Sequence, residues 1–175
     1  CATYNLLKLD RQLFMYDQAA KYMDHYERAI YNHILASVAE HDAGNTYHVP
    51  LNPGAQKRFG NANMDGFTCC NGTALESQTK LQDTIYFHSA DHRSLYVNLF
   101  IPSTLTWAER KVSVQQVTDF PYTDTTRLII KGSGRFDVKL RAPGWATRGF
   151  VVRINGKDQA VKATPGTYLT FSRDW

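Results

Sequence analysis

Cysteine is scarce in this 175-residue chain, with three in all. The count is odd, and two of the three, Cys69 and Cys70, are neighbours that cannot readily bridge each other. That excludes a disulfide framework and leaves the thiols reduced or metal-bound. No run approaches the roughly 20 apolar residues of a membrane span. No signal peptide is expected within these residues, and there is no cluster of one charge sign. The 20 Lys and Arg are dispersed among 16 acids, so the net charge of +4 reads as an ordinary solvated surface and nucleic acid is not an expected partner. G-x-S-x-G, a phosphate-cradling glycine loop, a Ser-His-Asp signature, internal repeats and low-complexity segments are all missing. There is also no initiator Met, and the first and last residues read as the interiors of elements, so both ends are expected to be cut from something longer. A hydrophobic content of 43% against 21% charge describes a globular chain large enough for one ordinary domain or two small ones.

What is present divides by periodicity. Thr3 to Met15 has helical spacing, with Leu6, Leu9 and Leu13 as the apolar stripe, widened by Leu7 and Phe14, and Lys8, Asp10, Arg11 and Gln12 facing water. Asp17 is the expected N-cap of a second helix to about Ala39, packed antiparallel to the first. Its apolar face is Tyr22, Tyr26, Ala29, Ile30, His33 and Ile34, with His33 a core or lining histidine. His41 to Asn45 has turn chemistry, Thr46 to Leu51 is a short extended piece, and Ala55 to Asp65 is a loop. Tyr47 and His48 therefore lie on an irregular segment leading toward the cysteines, where aromatics and imidazoles bind ligands or pack.

Beyond Gln82 the period falls to 2. Strands are expected at 85–88, 94–100, 111–117, 127–131, 135–141, 150–155 and 167–171. Phe136, Val138 and Leu140 alternate with Asp137, Lys139 and Arg141, the pattern of a half-buried antiparallel strand. Asn155-Gly156 predicts a type I′ hairpin, and Pro165-Gly166 a further turn. Seven short strands favour a β-sandwich over a barrel. The fold class expected is α+β, with helices over residues 1–87 and strands over 88–175.

The chemistry concentrates at Phe67-Thr68-Cys69-Cys70-Asn71-Gly72-Thr73-Ala74-Leu75-Glu76. Thr73 and Glu76 have capping-box spacing, which places both cysteines just ahead of a helix. There the free N–H groups and the dipole favour an anion, and a thiol is depressed toward thiolate. With Cys1, the pair offers three soft ligands, one short of a closed tetrahedral zinc site. The spacing matches no zinc finger. The residues themselves leave open a catalytic site, a site completed from upstream, or two small buried hydrophobes with no site at all. Asn71-Gly72-Thr73 is formally a glycosylation sequon, read as coincidence at a helix cap.

Five blocks in order resemble one family. They are Cys1-Ala2-Thr3-Tyr4-Asn5-Leu6-Leu7-Lys8-Leu9, Tyr26 to Leu35, Phe67 to Ser77, Leu95 to Ser103, and Leu140-Arg141-Ala142-Pro143-Gly144-Trp145. The chain resembles the β-L-arabinofuranosidases of glycoside hydrolase family 127 and the related family 146 over essentially its whole length. The resemblance implies the C-terminal part of an (α/α)6 barrel over 1–87, carrying the site, followed by an antiparallel β-sandwich over 88–175 that is incomplete at its C-terminal end. It implies a zinc ion held by three cysteines and a glutamate, with Cys1, Cys69 and Cys70 as the sulfur ligands and Cys69 also the nucleophile of a retaining hydrolase. Tyr47 matches a tyrosine lining the sugar pocket, with His48 beside it and Glu76 as a further substrate contact or a helix cap. Thr68 stands where the family has Trp.

The family's ligand glutamate falls two residues before Cys1 and its acid/base glutamate is also upstream. The fragment alone is therefore expected to be inactive. The expected substrate is a β-L-arabinofuranoside or similar plant-derived glycan, and the expected setting bacterial, cytoplasmic or periplasmic/secreted. The competing expectation is a noncatalytic carbohydrate-binding or structural relative with a purely structural zinc site.

Overall fold

The structure is a computed structural model that describes residues 1–60 and 66–175; the end of the expected 55–65 loop lies outside the described residues. The chain forms two compact units, Cys1–Gln18 with His25–Leu81, and Ala19–Asp24 with Gln82–Trp175. Among the described residues no helix is long and apolar enough to cross a membrane.

The first unit is helical. Helix α1 runs Ala2–Asp17 and ends on Gln18 in the left-handed region (φ 55°), whose N–H returns to the Phe14 carbonyl. Asp17 is thus the last residue of α1 and not the cap of the next helix. Helix α2 is Ala20–Ala29, continued by a π-helical turn, Ile30–Ile34, and a 3₁₀ turn, Leu35–Ser37. The buried line of α1 is Tyr4, Leu7, Asp10 and Phe14, whereas Leu6 and Leu9 are exposed. The expected stripe is therefore displaced around the helix, and Asp10, expected in water, is inside. It can be there because Asp10 Oδ2 meets His25 Nδ1 at 2.5 Å. A second contact, Thr3 Oγ1 to His33 Nδ1 at 2.8 Å, confirms that the segments run antiparallel. It also corrects His33, which is exposed and held by a hydroxyl, not seated in a core.

Burial pushes the Asp10 carboxyl above its ordinary 3.8, and the hydrogen bond and charge of His25 oppose that rise. A carboxyl raised in the folded state binds its proton more tightly there. Its contribution to stability is full below the unfolded value and is lost as pH rises through the folded one. His25→Ala removes both opposing effects. The Asp10 midpoint in a carboxyl NMR titration should rise further, and stability near neutral pH should fall by about 1 kcal/mol in urea unfolding. A midpoint that stays put would remove the pair from this role.

The second unit holds the strands. One sheet has the order β1 (Tyr86–His88), β2 (Ser94–Val97), β6 (Arg135–Ala142), β9 (Thr167–Asp174). The other is β3 (Ser103–Trp107), β4 (Val112–Thr118), β5 (Thr126–Lys131), and β7 (Arg153–Ile154) with β8 (Lys157–Asp158) forms a small hairpin. Leu95, Val97, Val138 and Phe136 from the first sheet share one apolar cluster with Trp107, Val112 and Val114 from the second. Asn155 and Gly156, both at positive φ (50° and 78°), make the expected I′ turn between Ile154 and Lys157. Strand β3 lies outside the seven expected, although Leu105 and Trp107 alternate with threonines in it.

Two expectations need correcting. The first sheet is mixed, because β2 pairs parallel with β6 while β6 pairs antiparallel with β9. Arg141, expected to face water, is wholly buried. Its Nε donates to the Asn98 carbonyl at 2.6 Å, and its Nη1 pairs with the Asp24 carboxylate, which also accepts from the Gly144 N–H at 3.1 Å. Tyr168 closes the network by donating to Asn98 Oδ1 at 2.5 Å.

Candidate active site with a three-thiol cluster

Helix α3 spans Cys69–Lys80, and its N-cap is Thr68 in extended conformation (φ −121°, ψ 166°). The capping box joins Thr68 and Asn71, with the Thr68 N–H donating to Asn71 Oδ1 at 2.8 Å. Helix α3 therefore starts earlier than the Thr73–Glu76 box implies. Asn at the third position reaches back as Glu would, and Thr68 is free to cap because its backbone is extended. Cys69 and Cys70 then occupy the first two helical positions, inside the first turn and not ahead of it.

Asn71 does a second task. Its Nδ2 donates to Asn45 Oδ1 at 3.3 Å. Asn45 is itself fixed by two backbone hydrogen bonds with Gly60, both 3.0 Å. The start of α3 is thereby tied to the irregular segment that carries Tyr47 and His48. Thr46, buried beside Asn45, donates to the His48 carbonyl at 2.7 Å and shapes that turn. Nothing in the spacing of Asn45 and Asn71 announces this link.

The three cysteine sulfurs lie within 4.8 Å of one another. Cys1 Sγ is 3.1 Å from Thr73 Oγ1, and Thr73 Oγ1 donates to the Cys69 carbonyl at 2.9 Å, so Thr73 braces the cluster from one turn up. Cys1 and Cys69 are exposed and Cys70 is half-buried. Burial pushes the Cys70 thiol up, and the hydrogen bond and charge of Cys69 add to the rise. For Cys70 burial, with the neighbouring Cys69 adding to it, outweighs the expected depression by the helix start. Tyr47 is raised as well, chiefly by the charge of Cys69, then by the hydrogen bond between them and the charge of Cys70.

The residues fit a zinc ion. Zn–S bonds of ~2.3 Å at tetrahedral angles put sulfurs about 3.8 Å apart, which these side chains reach with small movements. Three soft thiolate donors suit that metal, and a divalent charge removes the repulsion among them. Among the described residues no fourth ligand joins the group.

Of the other residues singled out in the sequence, Tyr47 comes to the cluster. His48 stands one step out, edge-on to the Tyr47 ring (centroids 4.5 Å, 74°). Glu76 does not cap α3, and its carboxylate lies 3.7 Å from Lys8 Nζ in an exposed ion pair.

Three cysteine sulfurs thus gather at the start of α3, beside the Tyr47 hydroxyl, as a group that could hold a metal ion. Comparison with known proteins gives its class. The model for the β-L-arabinofuranosidase GH127 catalytic domain matches residues 1–83, and that for the GH127 middle domain matches residues 94–175. The chain belongs to glycoside hydrolase family 127. No curated protein matches it.

Among solved structures, a GH127 β-arabinofuranosidase is similar at TM-score 0.80 and 27% identity, covering 100% of this chain and 30% of that one. Ara127N-Se, a GH127 β-L-arabinofuranosidase from Geobacillus stearothermophilus T6, is similar at 0.77 and 28%, covering 100% and 29%. A third, titled glycoside hydrolase, shares the fold at 0.79 and 21% identity, covering 100% and 30%. The chain thus spans about 30% of the length of the structures it matches.

Proposed function

We propose that the protein containing these residues is a retaining glycoside hydrolase of β-L-arabinofuranosides, with Cys69 as nucleophile. The observation that carries this reading is the convergence of Cys1, Cys69 and Cys70 within 4.8 Å, two of them in the first turn of α3, in a GH127 chain. On the same reading residues 1–87 belong to an (α/α)6 barrel and 88–175 to a β-sandwich, and the partner is a glycan. Cys1, Cys69 and Cys70 would hold a zinc ion, which when bound supplies a positive charge that keeps sulfur ionised near neutral pH.

The chain's own groups then have defined tasks. Cys69 Sγ attacks the anomeric carbon as the bond to the leaving oxygen breaks, and a carboxylic acid from the remainder of the protein protonates that oxygen. The carboxylate left by that step takes a proton from water as the water attacks the thioglycoside, the sulfur leaves as thiolate, and the sugar departs with its configuration retained. The Tyr47 hydroxyl, bonded to Cys69, donates to the sulfur and orients it. Thr73 holds Cys1 against the cluster. The alternative reading is a purely structural zinc site, in which closed thiolates are screened from solvent.

Iodoacetamide separates the two readings. In the intact protein Cys69 should be alkylated, with loss of turnover of an aryl β-L-arabinofuranoside, and L-arabinose should slow both in parallel. Metal analysis should return one zinc per protein, and Cys70→Ser should lower that content. Alkylation-resistant sulfurs with full zinc would overturn the nucleophile and leave the structural site.

A further inference from the structure

Phe67 sits one residue before the cap of α3, where an apolar side chain ordinarily packs on the fourth helical residue and fixes the entry of the chain. That fourth residue is Gly72, which offers no side chain to pack on. Phe67 is 74% exposed in this part of the protein. Its ring nevertheless has a fixed seat, because a Cβ added at Gly72 would come within 3.3 Å of Phe67 Cζ. Glycine is among the poorest residues for a helix interior, and here it leaves room for the ring to lie on bare backbone. Gly72 is one turn from Cys69 and adjacent to Thr73, the residue that touches Cys1. An exposed aromatic ring thus lies against the first turns of the helix that carries Cys69 and Cys70.

We propose that Phe67 is a sugar platform: its open face packs against the apolar C–H face of the furanose bound at Cys69, and Gly72 sets its height. This rests on the reading of Cys69 given above and extends it to substrate positioning. Flat aromatic faces suit such a surface because they offer large contact area with little side-chain freedom to lose.

The test uses the intact protein and three variants. Phe67→Leu keeps apolar bulk and loses the flat face. KM for an aryl β-L-arabinofuranoside should rise about tenfold, with kcat changed less than about threefold and an unaltered melting midpoint. Phe67→Tyr should restore KM. Gly72→Ala improves helix propensity and would strengthen a mere entry contact, so its melting midpoint should rise or hold, yet by displacing the ring it should also raise KM. The L-arabinose concentration that half-protects Cys69 from iodoacetamide should move with KM in every variant.

An unchanged KM in Phe67→Leu, with wild-type protection by sugar intact, overturns the platform alone. A KM rise matched by a lowered melting midpoint assigns Phe67 to folding and also overturns it. If sugar fails to protect Cys69 in the wild type, the underlying reading falls and the platform with it.

Discussion

Cys69→Ala in the intact protein should lower turnover of an aryl β-L-arabinofuranoside by on the order of 10⁴-fold, with the fold unchanged by circular dichroism. The expected size follows from the task. Without the sulfur no covalent intermediate forms, and the remaining groups can only bind substrate and protonate the leaving oxygen. Cys70→Ala is the contrasting variant. It removes a half-buried member of the cluster, so it should reduce metal content first and activity as a consequence, with partial recovery when zinc is supplied in excess. A Cys69→Ala protein within tenfold of wild type would leave the sulfur cluster without a catalytic part.

The second large effect belongs to the strand unit. Asp24→Ala should destabilise the intact protein by about 3–5 kcal/mol in urea unfolding, because it strands a guanidinium in the interior. Arg141 is wholly buried, and its Nη1 has the Asp24 carboxylate against it. The same carboxylate accepts from the Gly144 N–H, so the substitution also deprives a backbone donor of its partner. Asp24→Asn retains the shape and one acceptor and should cost roughly half as much. Replacing both partners with apolar residues of similar volume should recover most of the loss, since the penalty arises from the unpaired charge. A cost under ~1 kcal/mol for Asp24→Ala would mean that the pair is solvated in solution.

The residues that were readable from the chain, and those that were not, divide by the range of their interactions. The I′ turn at Asn155-Gly156 was legible because both residues tolerate positive φ locally. The alternation of Phe136 and Val138 was legible because one face of β6 meets the shared apolar cluster. The same alternation misassigned Arg141, whose partner Asp24 is 117 positions away. Nor does period 2 reveal that β2 and β6 run parallel, since pairing direction is decided by the route of the connection.

In α1 Leu7 and Phe14 are buried as the spacing implies, whereas Tyr4 and Asp10 take the inner positions that Leu6 and Leu9 would suggest for themselves. Burial of Asp10 depends on His25, in a different helix. At the site, the three cysteines and Tyr47 were singled out, and the structure brings them together. The start of α3 was misplaced because Thr73-x-x-Glu76 is a more familiar capping pattern than Thr68-x-x-Asn71. The exposed ion pair of Glu76 with Lys8 joins residues 68 positions apart and is likewise invisible in the local pattern. The sequence assigns Phe67 no role, because its approach to Gly72 five residues on appears only in the fold.

The most direct measurement of the central claim is mass spectrometry of the peptide containing Cys69, after the intact protein is mixed with an activated β-L-arabinofuranoside and quenched in acid within one turnover. The account predicts a pentofuranosyl group on Cys69 that disappears as the reaction is allowed to complete. A sugar attached to a carboxylate side chain instead, or product released with Cys69 never modified, would contradict it.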